Sequence, residues 1–463
     1  MNAASSDPHE DPSELPPKYC EERLAAEFTR RNGPEWRYID AWSRWYLWDG
    51  RRWLAEETLR AFDIAREVAR DISTEARHDM NLEPNQRQRV ASSIATAKTI
   101  AAIERLARAD RVHAMTNEQW DVDPWLLNTP DGIVYLRSGK TGPHVPDAYM
   151  TRITAARTSG MCPSWHAFLA RVTGDDRELQ AFLQRFVGYC LTGSTQEHAL
   201  LFLYGLGGNG KSTFISAILG AFGDYATTAP METFVESYTD RHPTDLAMLR
   251  GARLVVAQEV EDGQRWAASR IKQLTGGDMV RARFMRQDFF EYTPQFKLLL
   301  SGNHKPAFRH VDEAIRRRFL LVPFTQTITA EERDKVLLEK LKAERAGILA
   351  WAIAGCLEWQ RTGLAPPPSV VGATAAYLED EDLMRTWLTE CCESDHSAFC
   401  PVAELHASYQ AWAMRAGEKY LGLKRFSQAF EDHGYTRDRS TGNRVRGFRG
   451  VCLRQQQGRL NSE

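Results

Sequence analysis

Apolar residues recur along this chain at two periods, and each change of period marks an element. Over residues 58–74, 87–109 and 165–190 they return every three or four positions, which predicts helices. Between the first helix and the N-terminus the spacing shortens to Trp45-Tyr46-Leu47-Trp48, then Asp49-Gly50, then Arg51-Arg52-Trp53. That order predicts a hairpin turned at Asp-Gly. A second turn-rich patch runs through Pro124-Trp125-Leu126-Leu127-Asn128 and Asp131-Gly132 into Ile133-Val134-Tyr135-Leu136. Over 194–364 short apolar runs alternate with helical stretches, which predicts a doubly wound α/β sheet. This region closes on a helix over 344–361. Ala365-Pro366-Pro367-Pro368-Ser369 then reads as a stiff break between domains. Further helices are expected over 380–393, 402–416 and 424–433.

The expected organisation is a disordered tail (1–18), a mainly α (α+β) domain (19–193), an α/β domain (194–364), a Pro-rich linker (365–370), a C-terminal domain (371–454) and a short tail (455–463). The 463 residues are 43% hydrophobic and 26% charged, a globular composition too long for one core. Net charge is −2, so any surface for nucleic acid must be local. Eight cysteines without a C-x-x-C pair suit a reducing cytosol. Cys391, Cys392, His396 and Cys400 lack the spacing of a closed zinc site and are read as ordinary thiols and a loop histidine. Trp36, Trp42, Trp45, Trp48 and Trp53 are read as a small core rather than a base-stacking surface. The polar, acidic N-terminus is no signal peptide, and no apolar run reaches bilayer length.

Chemistry enters at Gly205-Leu206-Gly207-Gly208-Asn209-Gly210-Lys211-Ser212, which fits G-x-x-x-x-G-K-[ST] at every position. A strand-length apolar run precedes it and helical spacing follows Ser212 and Thr213. In that context the glycines let backbone N–H groups turn toward a triphosphate at a helix N-terminus. Lys211 then serves the β- and γ-phosphates, and the Ser212 hydroxyl ligates Mg²⁺. ATP and Mg²⁺ are the expected cofactors. Glu259 ends the apolar run Leu254-Val255-Val256-Ala257-Gln258, where it would orient or deprotonate water and help hold Mg²⁺; Glu261 and Asp262 compete for that role. Asn303 ends a third run and would hold the water or sense the γ-phosphate. Arg316, Arg317 and Arg318 are candidates to reach a neighbouring subunit's phosphate, against a reading as a solvated stretch paired with Asp312 and Glu313. Arg281, Arg283 and Arg286 give a predicted strand a basic face that suits a sugar-phosphate backbone, against a reading as an ordinary two-sided strand. Near the C-terminus Lys424, Arg425, Arg444 and Arg446 head a basic cluster suited to phosphate contact, against a solvated tail.

These elements in this order resemble a superfamily 3 helicase, and more closely the phage/plasmid primase–helicase family. The resembling stretches are 203–213, 253–263, 274–278, 294–306, 312–324 and 347–352, with Trp359 and Gly363-Leu364 behind them. The upstream region looks like the helicase-associated N-terminal domain shared with poxvirus replication helicases. The tail, with Tyr409-Gln410-Ala411-Trp412, Lys424-Arg425-Phe426 and Gly434-Tyr435, resembles the family's winged-helix module. The resemblance implies an AAA+-like core that forms a hexameric ring on DNA. It implies Lys211 and Ser212 as Walker A, Glu259 as the Walker B acid, Asn303 as sensor 1 and Arg317 or Arg318 as an arginine finger. Lys272 and Arg283 fall in the segment that contacts DNA. Gln258 stands where many members have a second acid. The chain starts almost at the helicase-associated region, so no primase domain is expected in it. The expectation is therefore an ATP-dependent DNA helicase of a phage, prophage or plasmid, in the cytoplasm of a bacterial host. It would act on a single strand or fork, as a homo-oligomer, beside a separate primase or polymerase and away from membranes. The alternative is an ATP-gated origin-binding or loading factor that does not unwind. A scaffold with a degenerate nucleotide site is disfavoured by the intact Lys211, Glu259, Asn303 and arginine set.

Overall fold

The computed structural model describes residues 16–236, 244–259, 264–285, 288–308, 311–380, 383–418, 420–439 and 445–454. They fall into two compact units, one within residues 16–123, 128–134 and 141–153, the other within 124–127, 135–140 and 154–454.

The first unit packs helices Glu21–Asn32, Arg60–His78, Pro84–Ile94 and Ala97–Ala109 with a small sheet ordered Trp53–Ala55, Arg44–Trp48, Trp36–Ile39, Ala114–Met115. The Asp-Gly hairpin forms: Trp48 pairs with Trp53, and the Asp49 carboxylate accepts the N–H groups of Arg51 and Arg52 at 2.7 Å. Trp36, Trp45 and Trp53 are buried, as a core reading requires. The single helix expected over 87–109 is two helices. The Thr96 hydroxyl accepts the Thr99 N–H at 3.2 Å and starts the second, a cap contributing about 1 kcal/mol.

The second unit is built on five parallel strands ordered Phe319–Pro323, Leu200–Tyr204, Lys297–Gly302, Leu254–Gln258, Ala226–Thr228. Strand interiors are buried on both faces, so they read as continuous Leu/Val runs. Residues 154–193, assigned by sequence to the N-terminal domain, pack here instead. Their expected single helix is Pro163–Thr173 and Arg177–Cys190, parted where Gly174 turns left-handed (φ 61°) and Asp176 caps Leu179 at 3.0 Å. Arg177–Cys190 lies against Arg345–Thr362 backbone to backbone, since a Cβ on Gly188 would sit 2.0 Å from the Cys356 nitrogen. The segment read as a stiff break behaves differently too. Pro368 opens helix Pro368–Asp380, as proline's fixed φ permits at a first turn. Tyr377 and Leu378 of that helix lie in the sheet's core, and the Thr374 hydroxyl accepts the Leu321 N–H at 2.9 Å, covering the edge strand.

Beyond it come helix Leu383–Cys391, strand Cys392–Pro401, helices Val402–Arg415 and Leu423–Asp432, and strands Thr436–Arg439 and Arg446–Leu453. The three strands form one antiparallel sheet with Arg446–Leu453 central, over a core of Trp387, Phe426, Phe430 and Phe448. The helix expected over 380–393 thus gives way to a strand at Cys392, whose thiol is buried with Cys400 in that core. Among the described residues no helix is long and apolar enough to cross a membrane.

Candidate functional site

The loop that follows Leu200–Tyr204 is held open from behind. The Asn209 amide donates to the Phe324 carbonyl at 2.8 Å, and Ile328 N–H donates to the Gly208 carbonyl at 2.8 Å. Gly210 turns left-handed (φ 86°) directly before helix Lys211–Phe222; a Cβ there would meet Val172 at 2.6 Å. Gly207 is also left-handed (φ 104°), with nothing within 4 Å of where its Cβ would be. At Gly207 the loop thus presents bare backbone to open space.

Lys211 forms the floor. Only 6% of it is exposed, and its ammonium donates to the Gly205 carbonyl at 2.6 Å, to Asn209 Oδ1 at 3.0 Å and to Asn303 Oδ1 at 3.0 Å. Burial pulls its pKa below the ordinary lysine value. Ser212 is exposed on the first turn with no hydrogen bond from any described residue, and Thr213 is half-buried beside it. A bare-backbone cradle, a buried cation and an unengaged hydroxyl at a helix N-terminus fit a triphosphate with its Mg²⁺.

Parallel register carries further groups to the same edge of the sheet. Gly302 pairs with Tyr204, so Asn303 follows beside the loop; Ser301 pairs with Gln258, so Glu259 follows one strand further on. Glu259 is exposed and left-handed (φ 69°), a conformation that costs a non-glycine residue about 1 kcal/mol and gathers at functional sites. Lys211 and Asn303 are in contact; Glu259 shares the edge without a hydrogen bond to either. Glu261, Asp262, Arg286 and Arg444 lie outside the described residues.

The arginines stand elsewhere. Arg317 and Arg318 precede strand Phe319–Pro323, whose Phe319 pairs with Leu200 and whose Pro323 pairs with Tyr204. They therefore sit at the edge opposite the loop of their own chain, a strand length of roughly 17 Å away. Arg317 is exposed, 3.7 Å from Glu313, whereas Arg318 is half-buried and donates to the Ala314 carbonyl at 2.9 Å. Lys272, on helix Ala268–Gly276, is ion-paired with Asp312. Arg281 and Arg283 lie on a hairpin of Val280–Ala282 with Phe290–Tyr292. Lys424 and Arg425 open helix Leu423–Asp432, and Arg446 opens strand Arg446–Leu453. All three are exposed and have no acidic partner among the described residues. The sequence pattern missed two participants, Phe324 and Val172, because both reach the loop from more than 30 positions away with no local signal.

Comparison with known proteins places these pieces. Residues 23–174 match the model of D5 N terminal like domains, and residues 203–318 match a family of unknown function, DUF5906. A protein of Frog virus 3 (isolate Goorha) named "Putative helicase 022R" is 28% identical over 267 residues, 53% of this chain and 27% of that protein. These matches make the chain similar, over part of its length, to D5-like primase–helicase proteins. A similarly named relative from Acanthamoeba polyphaga mimivirus is 23% identical over 242 residues, 48% of this chain and 25% of its own length. The chain spans about a quarter of the length of these two relatives. In fold the chain is similar to an apo structure of the NrS-1 C terminal region (305-718), with a TM-score of 0.50, 9% identity, and coverage of 94% of this chain and 100% of that one. The match to the family of unknown function at 203–318 takes in the loop, Glu259, Asn303, the basic hairpin and the arginines together.

Proposed function

We propose that this chain is an ATP-hydrolysing DNA helicase subunit of a replication system, working as a ring with its nucleotide sites at subunit interfaces. One observation carries the reading: the Lys211 ammonium is shared between the glycine-rich loop and Asn303 on the neighbouring strand. Lys211 would exchange the Asn303 oxygen for a phosphate oxygen, and Asn303 would then be free to report the γ-phosphate or hold water. Gly205, Gly207, Gly208, Asn209, Gly210, Ser212 and Thr213 complete the cradle, and Ser212 with Glu259 would hold Mg²⁺. Bound there, Mg²⁺–ATP supplies the phosphoryl chemistry that drives movement. Glu259 would prepare water at the open edge.

The strand order, with the loop strand between the last strand and Lys297–Gly302, supports an AAA+-like core. Arg317, exposed and out of reach of its own loop, suits a neighbour's site better than Arg318, which is tied to its own helix. The order helix, strand, two helices, hairpin supports a winged-helix reading of residues 383–454, with Lys424, Arg425 and Arg446 on phosphates. The test is displacement of a strand from a forked duplex by wild type and Lys211→Ala; equal unwinding by both removes the proposal. The unpaired Lys424–Arg425 face favours one other reading, an origin-binding or loading factor. DNA-stimulated hydrolysis without unwinding of any fork would select it.

A further inference from the structure

Phe289, just before strand Phe290–Tyr292, is 46% exposed, and both Arg281 and Arg283 lie over its ring, at 4.5 and 4.7 Å from the centroid. Arg281 and Arg283 flank buried Ala282, so they leave the same face of their arm. Neither guanidinium has a hydrogen bond or an ion pair among the described residues, although Glu291 stands opposite Arg281 in register. Two like charges on one face repel. Here an exposed aromatic face gathers them, and a ring quadrupole attracts each guanidinium by about 0.5–1 kcal/mol at exposed sites. Behind the ring, Phe284 stacks on Phe290 at 5.6 Å, and Arg250 lies over Phe290 at 5.1 Å, which fixes the arm that carries Phe289.

We propose that Phe289 is a positioning residue that holds Arg281 and Arg283 together as a two-point clamp for neighbouring backbone phosphates of single-stranded nucleic acid. Guanidinium groups keep their fork of N–H donors free when only their faces are engaged, so stacking on Phe289 leaves the edges ready for phosphate oxygens. The clamp rests on the nucleic-acid reading of the hairpin but goes beyond it, since it assigns an uncharged residue a share of the charge-dependent binding.

The test is titration of fluorescein-labelled oligo(dT) at several salt concentrations with wild type, Arg281→Gln, Arg283→Gln, Phe289→Leu and Phe289→Tyr, each checked for an unchanged melting temperature. Each arginine variant should lower the slope of log K against log salt by about 0.7, one phosphate contact on a single strand. Phe289→Leu keeps every charge, yet should lower the slope likewise and weaken binding several-fold, while Phe289→Tyr restores both. Weaker binding by Phe289→Leu at an unchanged slope would mean base stacking and overturn the clamp. Wild-type binding by Phe289→Leu would overturn it as well, provided the arginine variants bind weakly. Wild-type binding by both arginine variants would instead remove the hairpin's nucleic-acid role altogether.

Discussion

Lys297 opens a strand in which every following position is buried, and it is itself only 2% exposed. Its ammonium donates to the carbonyls of Thr192, Ser194 and Gln295, and the Tyr189 ring lies 4.8 Å away. Burial pushes its pKa down to about 7, and the same enclosure pushes the neighbouring Cys190 and Cys356 thiols up to about 12. The sign of the consequence follows from where the proton resides. Below pH 7 folded and unfolded chains both hold it, and the cost of a buried charge is fully present. Between pH 7 and the ordinary value of 10.5 only the unfolded chain holds it, so folding gains stability as pH rises, by up to about 1.4 kcal/mol per unit. Lys297→Met should be less stable throughout, with three carbonyls left without a donor, and should lack that rise. Denaturant midpoints of wild type and variant from pH 7 to 9 should therefore diverge; parallel curves would refute the shift. A lysine at the head of an apolar strand reads in sequence as a solvated end, so nothing local in the sequence foretold this site.

Elements were legible where their signal is contiguous. The loop from Gly205 to Ser212 needs one strand, one turn and one helix in sequence order, and each is where periodicity puts it. The Asp-Gly hairpin was readable for the same reason. Breaks were lost where apolar spacing runs on across a turn, as at Gly174 and Thr96, and the proline run concealed a helix start. What surrounds the loop was not legible, because Phe168, Val172 and Phe324 meet it only in three dimensions. Two glycines now separate backbone strain from crowding. Gly210→Ala imposes a strained φ and drives a methyl into Val172 and Phe168, so it should lose stability by roughly 1–3 kcal/mol and bind ATP poorly. Gly207→Ala suffers the strained φ alone and should fold with a smaller loss, about 1 kcal/mol, while its methyl obstructs the cradle. Thermal melts beside nucleotide titrations distinguish them, and equal loss of stability in both would contradict this account of the packing.

At the scale of the whole molecule, the groups proposed to act together stand on opposite edges of a single sheet. Lys211, Asn303 and Glu259 follow strand ends, whereas Arg317 precedes a strand start. No rotamer of Arg317 spans the strand between them, so within one chain the arginine is idle toward its own loop. In a closed ring built by repeating one contact, every loop can face the next chain's arginine edge. Lys211→Ala and Arg317→Ala should then each lose ATP hydrolysis, the latter by about 10³-fold or more if the arginine stabilises transferring phosphate. Mixed in equal amounts and allowed to exchange, the two inactive proteins should regain activity. An interface that takes its loop from the Arg317 variant and its arginine from the Lys211 variant is intact, and random assembly makes roughly a quarter of interfaces so. Premixed rings prevented from exchanging should stay inactive, which rules out simple summation. Hydrolysis by Arg317→Ala at the wild-type rate, or a mixture as inactive as its parts, would return the arginine to a solvated role beside Glu313 and leave the site to a single chain.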